Sequence, residues 1–278
     1  MSKIKIAIPK SGRLHNDTLK CFTEAGFEFK KDNTGFQLQC INEDFDLVLM
    51  REKDIPMLVD CKIVQNGICG ENTLIESEQH KWQLSKLFLI YRFSFGFCRL
   101  SVIGKKYLEL IDLKNLKIAT SYNNFIKRCD FLQCEVIPLT GSVEHAIELG
   151  ISDAIIDIVE TGETLRKSRL VEGETLMHSQ AILIGRSNSI IENIIFQIKA
   201  TEEAKNKRYI ALNCKEKDIA KICNILPSTK SPTILPLSTK GEFAIHSLCN
   251  EKDFFQILKN LKLLGAKDII ITKPEKII

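Results

Sequence analysis

Long apolar runs are missing from this 278-residue chain, and none approaches the ~18 residues a membrane-spanning helix needs. Cysteine pairs at metal or redox spacing are missing too. There are ten Cys, yet no two stand as C-x-x-C, which excludes a zinc ribbon and a redox dithiol. The five His (His15, His80, His145, His178 and His246) are scattered, and no two have metal-ligand spacing. No run ends in G-K-[ST], so there is no Walker loop. Charge of one sign is scarce as well. The balance of 39 Lys and Arg against 35 Asp and Glu leaves +4, unclustered, which does not favour nucleic acid. Met1 to Ile8 alternates like a strand and holds no secretory apolar core. These absences describe a cytoplasmic chain with reduced thiols, no membrane partner and no nucleic-acid partner. The thiols are expected to serve as small core hydrophobes.

What is present is ordinary globular composition, 44% apolar and 27% charged, at a length that accommodates two or three domains. Lys3 to Ile8 reads as a strand, and Pro9-Lys10-Ser11-Gly12-Arg13 as a turn. Asn16 or Asp17 can cap a helix with Leu14, Leu19, Phe22 and Ala25 on its apolar face, stopped by Gly26. Lys10 and Arg13 then lie at a helix start, where cations oppose the dipole. They are either ligands for a polyanion or solvated surface charges. Phe45 to Met50 is a buried strand, followed by a loop to Pro56 and a helix from Met57. Ile63 to Cys69 and Leu84 to Tyr91 are further strands. Such alternation predicts an α/β domain with a mainly parallel core.

Phe93 to Val102, apolar with Gly96 inside it, reads as a crossover to a second α/β lobe. Strands are expected at Leu116 to Thr120 and Glu135 to Pro138. Ser142 is expected to cap a helix from Val143 to Leu149, with Gly150 as its stop. The next stretch organises the chain: a strand with Asp153 and Asp157 runs into Thr161-Gly162-Glu163-Thr164. Acids four apart in a strand lie on one face. A hydroxyl-and-glycine turn between strand and helix can cradle a phosphate on free backbone N–H groups. Together they suggest a phosphorylated sugar, its hydroxyls on the acids and its phosphate on the turn. The other reading of the acids is a pair of strand-end charges meeting Lys or Arg across the sheet. Thr175 to Ile184 returns as a strand, and Ile190 to Ala204 is a long helix. The sequence thus assigns 1–92 and 185–204 to one lobe and 93–184 to a second, with a cleft between them.

Glu202 to Lys207 lacks apolar positions and reads as a linker. Beyond it, Tyr209 to Asn213, Lys217 to Leu226, Ser231 to Leu237, Glu242 to Leu248, Asp253 to Leu264 and Asp268 to Thr272 give β-α-β-β-α-β, the ferredoxin-like order. This block, 207–278, has no acid pair and is expected to bind or regulate.

Several stretches together resemble the ATP phosphoribosyltransferase family. The run Glu144, Gly150, Ser152, Ile155, Asp157, Ile158, Thr161, Gly162, Thr164, Leu165 fits the family pattern position for position. Ile8-Pro9-Lys10-Ser11-Gly12-Arg13-Leu14, Arg51 with Asp54-Ile55-Pro56, Gly70-Glu71-Asn72, Gly96-Phe97-Cys98-Arg99-Leu100 and Ile118-Ala119-Thr120-Ser121-Tyr122 are similar too. Ser231-Pro232-Thr233, Pro236-Leu237 and the tail resemble the long form, which carries a regulatory domain. One departure is Gln65-Asn66, where the family usually has Asp-Leu.

The resemblance implies two lobes like a periplasmic binding protein, a ferredoxin-like regulatory domain and a homo-oligomer, dimer to hexamer. It implies attack of an adenine ring nitrogen of ATP on C1 of phosphoribosyl pyrophosphate, with Mg²⁺ required. This is the first step of histidine biosynthesis, and histidine is the feedback inhibitor, with AMP a second candidate. By this likeness Asp153, Asp157, Thr161, Gly162, Glu163 and Thr164 hold the phosphoribosyl donor. Lys10, Gly12, Arg13, Arg51 and Glu71 take ATP or pyrophosphate. Asn213, Thr233, Ser247 and Ala266 surround the inhibitor. Thr233 and Ser247 could equally serve local backbone bonding. A two-lobed binding protein that kept the fold without the reaction is the alternative. The acid pair beside a phosphate turn favours the enzyme.

Overall fold

The computed structural model describes residues 3–77, 89–129, 132–226 and 231–278. The chain divides into two compact units, Met1–Thr23 with Phe27–Ile190, and Glu24–Gly26 with Ile191–Ile278.

The first unit begins with β1 (Ile4–Pro9) and α1 (Arg13–Glu24). Thr18, Cys21 and Phe22 are buried on α1, a helical i, i+3, i+4 face. The Phe22 ring meets Phe45 edge-on at 5.9 Å and lies 5.7 Å from Phe27. Truncating such a buried ring to Ala costs about 3–5 kcal/mol. β2 (Phe29–Lys31) and β3 (Gln37–Cys40) form a hairpin that sequence periodicity missed, because both strands are short. β4 (Phe45–Met50) follows, then a 3₁₀ turn at Glu52–Asp54, α2 (Ile55–Asp60), β5 (Asn66–Gly70), α3 (Glu71–Glu76) and β6 (Leu89–Arg92). Of the strand expected from Leu84, residues 84–88 lie outside the described residues.

Next come β7 (Cys98–Gly104), β8 (Lys117–Thr120), α4 (Asn123–Lys127), β9 (Glu135–Pro138), β10 (Ala154–Val159), α5 (Glu163–Lys167), β11 (Val171–Ser179) and β12 (Ala181–Gly185). They complete two sheets. The first has the order β2-β3-β4-β1-β5-β12-β6 and the second β11-β7-β10-β8-β9. β1 runs parallel to β4 and β5, and β8 runs parallel to β9 and β10. The two sheets make two lobes joined by two crossings. One is the stretch from Phe93 to Phe97, as the sequence suggested. Gly96 within it has φ +74, and a Cβ there would come within 2.9 Å of the Ala181 nitrogen. The other crossing is Gln180 alone.

This placement changes several expectations. Thr175 to Ile184 is two strands, one in each sheet, so the return to the first lobe occurs at Gln180, before Ile184. The uninterrupted apolar run hid the switch. Ser142 caps no helix: its φ is +52, its side chain makes no cap bond, and only the 3₁₀ turn Val143–His145 follows.

The second unit holds most of α6 (Ser189–Lys205), then β13 (Lys207–Lys215), α7 (Ile219–Ile225), β14 (Thr233–Pro236), β15 (Glu242–Asn250), α8 (Glu251–Leu263) and β16 (Lys267–Thr272). The sheet order β14-β15-β13-β16, with every pairing antiparallel, is that of the ferredoxin-like motif. From Ile191 onward α6 belongs to this unit and not to the first lobe. The expected linker is absent: α6 continues to Lys205 and β13 starts at Lys207. Its polar residues occupy the last helical turns, where Thr201 and Ala204 are the buried positions. The Ile277 N–H donates to the Ala200 carbonyl at 3.0 Å, and Lys276 Nζ to Gln197 Oε1 at 2.5 Å, so the chain end lies along α6.

Candidate active site

β10 ends in a turn at Thr161 and Gly162 before α5. Gly162 has φ +70, which Gly adopts freely and most residues do not. A cavity of about 390 Å³ opens there, lined by Glu144, Asp157, Glu160, Thr161, Gly162 and Glu163 among apolar residues of β7 and β10. Thr164 falls in α5, and its side chain lies outside the described part of the molecule.

Asp157 is half-buried on β10. Burial pushes its carboxyl above the usual carboxylate range, and the Ile158 N–H works against that. The nearby Glu144 carboxylate adds to the rise and the Lys53 ammonium opposes it. Asp153 does not share this site. It precedes β10, where its Oδ2 accepts the Lys117 N–H at 2.8 Å and its own N–H donates to the Lys117 carbonyl at 2.8 Å. Four strand residues span about 13 Å. The acid pair inferred from spacing is therefore split: Asp153 ties β8 to β10, and the acid accompanying Asp157 is Glu144.

The first lobe contributes cations. Arg13 Nη2 donates to Glu160 Oε1 at 2.7 Å and to the Phe97 carbonyl at 3.5 Å, so it reaches the end of β10 on the other lobe. Lys10, Arg51 and Lys53 are exposed and form no ion pair among the described residues. Gly12, with φ +86, leaves open space beside them. Glu71 is not free. Both its carboxylate oxygens are held by Arg92, one at 2.7 Å, and it lines neither this cavity nor the next.

A second cavity, about 380 Å³, lies between the lobes and is lined by Lys53, Met57, Thr73, Glu76, Ser121 and Tyr122 among others. Behind it runs a buried polar chain that sequence reasoning missed. Asn72 Nδ2 donates to the Tyr122 hydroxyl at 2.8 Å, and the Ser179 hydroxyl donates to Asn72 Oδ1 at 2.7 Å. Burial raises the Tyr122 hydroxyl; the Asn72 bond opposes this and the Asp157 charge adds to it. Arg99 grips both oxygens of Glu172 and donates to the Glu160 carbonyl at 3.2 Å. The hydrogen bond from Arg99 holds the Glu172 carboxyl low, against a smaller effect of burial. Asn72, Glu144 and Arg99 all stand in stretches the sequence had marked, but nothing in spacing shows which way they point. Among the described residues, no three His, Cys, Asp or Glu side chains gather as a metal cage.

In the second unit, Thr233 and Ser247 line a cavity of about 420 Å³ with Glu203, Lys207, Tyr209 and His246. Thr233 sits opposite His246 in the β14–β15 pairing. The Ser247 hydroxyl is buried without a hydrogen-bond partner, among the described residues. Asn213 and Ala266 are not among the lining residues. The Asn213 amide donates to Asp268 Oδ2 at 3.1 Å, and Ala266 is buried in the core of this unit.

Comparison with known proteins agrees with this architecture. The family model described as ATP phosphoribosyltransferase matches residues 51–202, and that described as HisG, C-terminal domain, matches residues 204–276. The ATP phosphoribosyltransferase of Bacteroides thetaiotaomicron is 34% identical over 288 residues, covering 99% of each chain. That of Azobacteroides pseudotrichonymphae is 36% identical over 288 residues, again covering 99% of each. A chain of the ATP phosphoribosyl transferase (HisG:HisZ) complex from Thermotoga maritima is 26% identical with a TM-score of 0.57, matching 70% of this chain and 98% of that one. With the catalytic and C-terminal models matched in succession and relatives aligned end to end, the chain belongs to the ATP phosphoribosyltransferase family, in its long form.

Proposed function

We infer that this chain transfers the phosphoribosyl group of phosphoribosyl pyrophosphate to the adenine ring of ATP, releasing pyrophosphate. This is the first step of histidine biosynthesis. The observation that carries the reading is the cavity around Asp157 and the Thr161–Gly162 turn, with Arg13 of the other lobe at its edge. A sugar phosphate suits this cavity. Backbone N–H groups and the Thr161 hydroxyl take the 5-phosphate, and the carboxylates of Asp157 and Glu144 accept the ribose hydroxyls. Asp153 has no part in it.

Displacement at C1 needs no protein nucleophile. A ring nitrogen of adenine forms the new bond to C1 as the C1–oxygen bond breaks, and its electron pair leaves with pyrophosphate. The chain's contribution is alignment of the two substrates and charge around the leaving group. Arg13 and Lys53 border the two cavities, and with the exposed Lys10 and Arg51 of the same lobe they would take the phosphates of ATP or the leaving pyrophosphate. The cavity bounded by Tyr122, Met57 and Lys53 suits a purine with its phosphates toward Lys53. Oxygen donors suit Mg²⁺, which binds through one or two carboxylates, substrate phosphates and water. Asp157 and Glu144 would be those carboxylates, and the ion would supply charge neutralisation on the pyrophosphate.

Histidine feedback belongs to the second unit in this reading. An amino acid carries an ammonium and a carboxylate, and Glu203 and Lys207 offer one complement each beside Thr233. Assembly as a homo-oligomer is part of the same proposal. The test mixes the chain with ATP, phosphoribosyl pyrophosphate and Mg²⁺ and measures pyrophosphate and ribosylated ATP. Binding of both ligands without product would leave a two-lobed binding protein instead. Loss of activity on adding free histidine, with relief in Thr233→Ala, tests the regulatory part.

A further inference from the structure

α3 of the first lobe and α4 of the second cap one another. Both carboxylate oxygens of Glu76, the last residue of α3, accept backbone N–H groups at the start of α4: Oε1 from Asn124 at 2.9 Å and Oε2 from Phe125 at 2.8 Å. In return, α4 serves the carbonyls at the end of α3. Arg128 Nη1 donates to the Ile75 carbonyl at 2.9 Å, Arg128 Nη2 to the Ser77 carbonyl at 3.2 Å, and Asn124 Nδ2 to the Glu76 carbonyl at 3.0 Å. Terminal groups that each short helix leaves without intrahelical partners are thus met by the opposite lobe. Each of these five bonds runs from one lobe to the other. Glu76 and Asn124 also line the cavity between the lobes.

We propose that Glu76 and Arg128 are positioning residues for the transfer: their reciprocal capping of α3 and α4 holds the lobe carrying the cations against the lobe carrying Asp157 and the phosphate turn. Glu76 lines the cavity assigned to the purine, but both its carboxylate oxygens are taken by the α4 amides, and Arg128 is not among the lining residues. The inference rests on the reading that the donor sits on the second lobe and ATP meets it from the first. The reaction needs reacting atoms about 3–3.5 Å apart, so a lobe displaced by an ångström costs rate even when each substrate still binds. Hydrogen bonds to charged groups are the stronger kind, and this clasp holds four, two to each charged side chain.

The experiment uses the full chain and two variants, Glu76→Gln, which keeps one acceptor and loses the charge, and Arg128→Met, which keeps the stem and loses the donors. Hydrogen exchange at the amides of Asn124 and Phe125 reports whether the clasp is open. Binding of phosphoribosyl pyrophosphate alone reports whether the second lobe is intact, with Asp157→Asn as the comparison that weakens it directly. Turnover and KM for ATP report alignment. Expected are faster exchange at those two amides, donor affinity within about twofold of the parent, and kcat lowered roughly tenfold. The double variant should be little worse than either single one, because both break the same clasp. Faster exchange with unchanged kcat would overturn the proposal. Donor binding lost together with kcat would overturn it as well, by showing that the clasp builds the second lobe. If Asp157→Asn leaves donor binding unchanged, the donor-site reading fails, which this design separates from failure of the clasp.

Discussion

Glu160 holds Arg13 at 2.7 Å, and both side chains remain 45% exposed. In the proposed reaction, Arg13 must give up Glu160 to take a phosphate oxygen of the substrate. Glu160 is then a placeholder anion. An exposed ion pair of this kind is worth about 0.2–1 kcal/mol, since water screens it and two long side chains are immobilised. Removing a competitor of that size tightens binding roughly 1.4- to 5-fold. Glu160→Gln should therefore bind phosphoribosyl pyrophosphate more tightly by that factor, as measured by titration calorimetry. The gain should shrink at high salt as the pair it relieves is screened in the parent. Arg13→Gln should bind more weakly, and adding Glu160→Gln to it should change nothing further. A tenfold loss of affinity in Glu160→Gln would refute the reasoning, because Glu160 would then be a substrate ligand. So would a gain that persists when Arg13 is already Gln.

Other consequences follow from the same geometry. Asp157→Asn removes a charge-assisted bond worth about 1.5–3 kcal/mol, so turnover should fall roughly 10- to 100-fold with ATP binding nearly intact, as steady-state kinetics and ATP titration would show. Asp157 must be ionised to accept hydroxyls, and its folded-state carboxyl titrates above the ordinary range, first through burial and then through Glu144. Activity should accordingly fall as pH drops through that raised value. In Glu144→Gln the acid limb of the kcat/KM profile should move to lower pH. Gly173→Ala should be strongly destabilising, because a Cβ would stand 2.2 Å from the Leu108 carbonyl oxygen, and thermal melting would register it. Cutting the chain after Lys205 should lower the melting temperature, since the chain end along α6 and the sheet that shares its unit are both removed.

The alternation of strands and helices was legible because β1 and β4 are rich in apolar residues and bounded by Pro and polar turns. The ferredoxin-like order was legible for the same reason: buried Ile210, Leu212 and Cys214 alternate along β13. The switch of sheets at Gln180 was not, because both flanking strands are apolar and local pattern carries no record of which sheet a strand joins. The turn after β10 was readable from Thr161 and Gly162, whose backbone role is local. The acids were half readable. Asp153 and Asp157 look alike in spacing, but only the pairing of β8 with β10 shows that Asp153 is spent on the Lys117 backbone. Tyr122, Asn72 and Ser179 come together from three distant stretches, and such a meeting is a product of topology alone.

The two crossings between the lobes are also bonded to each other. The Phe93 N–H donates to the Ala181 carbonyl at 2.9 Å, the Ala181 N–H donates to the Phe95 carbonyl at 3.1 Å, and Gln180 Nε2 donates to the Phe93 carbonyl at 3.2 Å. Two separate straps would let the lobes twist, slide and swing independently. Straps stitched side by side leave one axis of rotation and remove the sliding freedom. The approach of Arg13 to Glu160 at the end of β10 and the meeting of α3 with α4 then become readings of a single angle. In the proposed reaction, admission of one substrate would then set that angle for the other.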